Sequence, residues 1–129
     1  REVPLSGRID DEGMGYGAVW FSVDNVQNGG ADAVALINRA GEIIEFLSYE
    51  GSIRGNDGPA LKLDSVDVGI AELATDKAGG SIQRVGKGAN PSHYTWSLEP
   101  QSRGLLNMNQ VILRTTRLPI VMPIPAFLR

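Results

Sequence analysis

At 129 residues the chain has the size of one domain with a single apolar interior to build. Apolar residues make up 42% and charged residues 21%, a balance that excludes a disordered polymer, while the absence of cysteine excludes a disulfide framework and thiolate metal centres. The net charge of −3 is unevenly spread: residues 1–100 hold all fifteen acidic side chains and eight of the twelve Lys and Arg, a balance of −7, whereas residues 101–129 hold four Arg and no acid, so nucleic acid is not an expected partner.

Helical periodicity is weak throughout, and short apolar runs bounded by Gly, Asn, Asp and Pro return roughly every ten residues, the spacing of sandwiches and barrels. The predicted class is all-β. In chain order, strands are expected over residues 3–8, 17–23, 33–38, 42–49, 65–71, 81–85, 93–98 and 110–115. The acidic cluster Asp10-Asp11-Glu12-Gly13 and the run Gly86-Lys87-Gly88-Ala89-Asn90-Pro91 read as turns, in which Gly supplies positive φ and Pro pre-sets the bend.

The sharpest local expectation is a hairpin. Arg39-Ala40-Gly41 is a three-residue loop with Gly at the position that needs a left-handed backbone, the arrangement that produces a bulged hairpin. In the second strand Ile44, Phe46 and Ser48 share one face, and Ile43, Glu45, Leu47 and Tyr49 the other. Apolar groups on both faces predict a central strand with neighbours on each side, and Glu45 then faces outward or needs a partner. The core expected from this pattern is Val19, Phe21 or Trp20, Val34, Leu36, Ile44, Phe46, Ile82 and Trp96.

All sixteen glycines fall between Gly7 and Gly104, so the composition changes near Leu105. The division expected is a β-sandwich over residues 1–110 and a C-terminal extension over 111–129, acting as an extra strand, a swapped arm or a disordered tail. The longest apolar run, residues 118–128, is interrupted by Pro119, Pro123 and Pro125, so it is neither a membrane helix nor a central strand. No membrane span and no signal peptide are read in the chain. A start at Arg1 instead of Met is compatible with a leader or domain upstream.

Candidate chemistry is sparse. His93, the one imidazole, lies on an expected strand, where it and Ser92 point to opposite faces, and no G-x-S-x-G elbow exists. Asp24, Asn28 and Asp32 suggest Ca²⁺, but Val26 and Ala35 occupy the third and twelfth positions of an EF-hand reading. Asp57, Asp64 and Asp67 cluster in a later loop, where such residues commonly cap turns. Gly13-x-Gly15-x-Gly17 opens a strand, not a helix, and reads as a tight turn instead of a phosphate loop. Glu45 and Glu50 fall on opposite faces of an ideal strand, which disfavours a glycosidase pair. Trp20 and Phe21 also point oppositely, so one is core and the other a surface aromatic hinting at a binding face. Catalytic, cofactor-binding and metal-ligating residues are therefore assigned to none, and no cofactor is expected.

Ordered motifs carry a resemblance. Leu5-Ser6-Gly7, Gly15-Tyr16-Gly17, Gln27-Asn28-Gly29 with Asp32, the run from Glu45 to Ser52, Asp57-Gly58-Pro59-Ala60, Asp67-Val68-Gly69, Gly79-Gly80-Ser81-Ile82-Gln83 and Thr95-Trp96 follow one another as in the bacterial branch of the lamin tail domain family, which residues 3–110 resemble. The resemblance implies an immunoglobulin-like β-sandwich, often fused to secreted nucleases and phosphatases or found on cell-surface proteins, with no catalytic residues to carry over. Two departures stand out. The strands that usually precede the L-S-G motif have no counterpart here, and the chain continues past residue 110, where family members tend to finish. The extension, residues 110–118 above all, is expected to cover the incomplete sheet within the chain or by pairing with a second copy.

The function expected is a non-catalytic module for protein or surface association, with a protein partner or a homodimer formed by strand exchange. The alternatives are an accessory domain of a secreted hydrolase, a Ca²⁺-binding β-module and a small hydrolase with an unrecognised site.

Overall fold

A computed structural model describes residues 2–13, 15–24, 29–71 and 79–114. Six strands form two three-stranded mixed sheets, and the helical content of the described residues is confined to two 3-10 turns, Gly58–Ala60 and Pro91–His93. Sheet 1 has the order β1-β2-β3, from Asp32–Ile37, Ile43–Tyr49 and Val66–Asp67. Sheet 2 has the order β5-β4-β6, from Thr95–Pro100, Gly80–Gly88 and Gln110–Ile112. Each central strand pairs antiparallel with one neighbour and parallel with the other.

The β1–β2 hairpin forms around the expected loop. Asn38 and Glu42 close it: the Asn38 N–H donates to the Glu42 carbonyl at 2.9 Å, and Asn38 Oδ1 accepts from the N–H groups of Ala40 and Glu42. Gly41 adopts φ 84°, a region that disfavours a Cβ, and the register shifts between Leu36 and Ile37, marking the bulge. β2 is central, with β1 and β3 on its two sides.

Other expected elements are shortened or absent. Residues 3–8 and 17–23 form no regular strand, although residues 17–21 are rich in strand-favouring types. Strand preference is expressed only where a neighbour offers a ladder, and segment 17–23 is held instead by the Glu12 carboxylate, which accepts from the Ala18 N–H at 3.0 Å. The strand expected over 65–71 is reduced to β3. Asp67 Oδ1 accepts from the Gly69 N–H at 2.9 Å, and Gly69 has φ 73°, so the chain turns away after two paired residues. His93 ends a 3-10 turn begun by Pro91, which moves the start of β5 to Thr95.

The expected core is where sequence and structure diverge most. No apolar side chain among the described residues is fully buried; the buried polar residues are Ser48, Ser65 and Gln83. Val19, Trp20, Val34, Leu36 and Ile44 are exposed, and Phe21, Phe46, Ile82 and Trp96 are half-buried. The register supplies the reason. Val34, Leu47 and Val66 lie opposite one another across sheet 1 and so share a face with the paired Leu36 and Glu45. On that face Glu45 forms an ion pair with Arg84 of β4, while Val34 is 69% and Val66 66% exposed. The sheets thus meet at the Glu45 end and leave the rest of the face open.

Arg84 does more than pair. Its guanidinium lies 4.7 Å from the ring centroid of Trp96, its cross-strand neighbour, and its carbonyl accepts from Asn107 Nδ2 at 3.0 Å. Part of the C-terminal extension joins this sheet, since β6 pairs with Gly86, Lys87 and Gly88 of the same chain. Residues 115–129 of the extension, including the end of the strand expected over 110–115, lie outside the described residues.

Candidate functional site

A cleft of about 360 Å³ opens where three separate segments converge. Its floor is the start of β4, one wall is residues 18–20 and the other residues 101–107. The walls are joined by one carboxylate: Glu12 Oε1 accepts from Ala18 N–H at 3.0 Å and Oε2 from Leu106 N–H at 2.8 Å. The first wall is started by a turn in which Asp11 Oδ1 accepts from the N–H groups of Gly13 and Gly15, at 2.8 and 2.9 Å. These two bonds hold the Asp11 carboxyl below the usual aspartate range, and Arg114 adds to the effect.

Trp20 is the exposed aromatic of the Trp20-Phe21 pair and lines this cleft. The Arg103 guanidinium lies 5.6 Å from its ring centroid. Gly104, at φ 71°, passes so close to the indole that a Cβ there would lie 3.0 Å from Trp20 Cδ1. The turn 102–105, closed by a Leu105 N–H bond to the Ser102 carbonyl, therefore disfavours a side chain at this point.

Gln83 reaches the floor. Its Nε2 donates to Ser81 Oγ at 2.6 Å and to the Pro100 carbonyl at 2.8 Å, while its buried Oε1 accepts from no group. Alternation along β4 marks Gln83 as an outward residue, yet it is 5% exposed because the cleft walls cover its face of the sheet. Gln83, Glu12 and the Trp20–Arg103 contact were not legible as a site, since Glu12 meets Leu106 and Trp20 meets Arg103 across most of the chain, and no local spacing reports such a meeting.

The residues considered for catalysis are not brought together. His93 is exposed, and its Nδ1 accepts from the Ala89 N–H at 3.2 Å. A Cβ on Gly88 would collide with the His93 side chain at 2.1 Å, so this imidazole packs on the backbone at the end of β4. Ser92 belongs to the same exposed 3-10 turn. Glu45 is engaged by Arg84, while Glu50 sits past the end of β2 at φ 62°.

The aspartates also disperse. Asp32 Oδ2 accepts from the Tyr49 hydroxyl at 3.4 Å, Asp64 pairs with Arg54 at 3.1 Å, and Asp67 caps its own turn. Asp57 precedes the 3-10 turn Gly58–Ala60 without a side-chain capping bond. Asn28, the middle residue of the Asp24–Asp32 reading, lies outside the described residues. Among the described residues no group of three or more His, Asp or Glu is placed to hold a metal ion. The Gly13-x-Gly15-x-Gly17 segment spends two of its N–H groups on Asp11, which puts a carboxylate where a phosphate loop would hold its anion.

No helix among the described residues is long and apolar enough to cross a membrane. Comparison with protein-family profiles, curated proteins and solved structures found no match.

Proposed function

We propose that this chain is a non-catalytic, lamin-tail-like module with an immunoglobulin-like sandwich as its complete fold, and that it acts by associating with another protein chain through sheet 1. The observation that carries this reading is the row Val34–Leu47–Val66, which runs across three strands and is open at both ends. Its first residue lies on β1, an edge strand with the sequence DAVALI, free of Lys and Pro, the residues that usually protect such an edge. An edge of this kind accepts a further strand through its unpaired N–H and C=O groups.

The order of the motifs from Leu5 to Trp96 supports the family reading, and the all-β architecture is compatible with it. The partner proposed is a second copy. Antiparallel pairing of two β1 strands with Val34 opposite its counterpart continues the apolar row from one sheet into the next. The chain's net charge of −3 opposes this approach, so association is expected to strengthen with salt. Light scattering across a concentration series tests the reading, with V34K as the disrupting variant and V66K, on the opposite edge strand β3, as the control.

A further inference from the structure

The cleft between residues 18–20 and 101–107 lies apart from the sheet 1 face and is built from different chemistry. An indole gains by leaving water, yet Trp20 is 52% exposed while Arg103 and Gly104 hold it in place. Around it stand Ser81, Gln83, Gln101 and Asn107, side chains with hydroxyl or carboxamide groups, and the lining contains no carboxylate. A fixed, half-open aromatic surface beside neutral hydrogen-bonding groups is the usual composition of a small-molecule site.

We propose that this cleft binds a neutral saccharide. The C–H face of a pyranose ring is apolar and suits the open indole, while its hydroxyls both donate and accept, matching hydroxyl and carboxamide partners. The single guanidinium is already engaged over Trp20, so an anionic ligand finds no second cation in the lining. Glu12 is a positioning residue, since it holds both walls without lining the cleft.

The test is a titration of the full chain with cellohexaose, xylohexaose, maltohexaose and chitohexaose, following the indole N–H resonance of Trp20, assigned by its loss in W20F. At least one saccharide is expected to shift that resonance saturably with a Kd on the order of millimolar or tighter. W20A should weaken binding about tenfold or more, and Q101A by less, with the circular dichroism of both unchanged. Glu12→Gln should weaken binding while the bound indole shift stays the same, which separates positioning from contact. No saturable shift with any of the four overturns the proposal. So does full affinity in W20A, or a shift produced by inorganic phosphate or a capped neutral peptide but by no saccharide.

Discussion

Glu12 and Leu106 are 94 residues apart in the chain and joined by a 2.8 Å hydrogen bond from the Leu106 N–H to the Glu12 carboxylate. The other oxygen of that carboxylate holds Ala18, so one side chain brings an early loop against a late one. Glu12→Gln keeps the shape, but its NH2 group cannot accept, so one of the two bonds is lost and the other gives up its charge. A loss of about 1 kcal/mol is expected, because both bonds are exposed to water. Thermal melting should fall by a few degrees, and Trp20 emission should shift to the red as the wall loosens.

Ser65 anchors the long excursion between β2 and β3. Its hydroxyl donates to Ser48 Oγ at 2.7 Å and accepts from the Ile53 N–H at 2.8 Å, and Ser48 is 1% exposed. Ser65→Ala strands a buried hydroxyl and a backbone donor together. A destabilisation of about 1–3 kcal/mol is expected in denaturant unfolding with an unchanged m value, and Ser65→Thr should recover part of it.

The Glu45–Arg84 pair joins the two sheets, and both side chains are less than a third exposed. A double-mutant cycle of E45Q and R84M should give a coupling of about 1 kcal/mol that shrinks with salt. R84M should cost more than E45Q, because it also removes the guanidinium from Trp96.

Asp11 carries a pH dependence of defined sign. The Gly13 and Gly15 N–H bonds favour its charged form, so its folded pKa lies below the unfolded one. The turn's contribution is then fully present above the ordinary aspartate range and lost as pH falls through the depressed folded value. Amide shifts of Gly13 and Gly15 should titrate together with a midpoint below that of free aspartate, and D11N should abolish the titration.

How much of this was readable in the sequence depends on how far apart the interacting residues lie. The 38–42 loop, its left-handed Gly41 and the central place of β2 follow from contiguous residues, and Glu45's need for a partner follows from alternation. The identity of that partner, Arg84, does not, because it depends on how two sheets meet. The same applies to the exposed Val34 and Val66: periodicity marks them as apolar, and only the arrangement of the sheets determines whether that face is covered. Segment 17–23 failed as a strand for a related reason, since its apolar content was legible but the lack of a pairing neighbour was not.

The central claim is that β1, the open edge of sheet 1, is an association surface, and multi-angle light scattering across a concentration series measures it most directly. The account predicts a mass approaching twice 13.8 kDa at high concentration, enhanced by salt, which returns to the single-chain value in V34K and persists in V66K, with melting of V34K unchanged at dilutions where the unsubstituted chain is itself a monomer. A single-chain mass at every concentration, or a dimer indifferent to V34K, would contradict it.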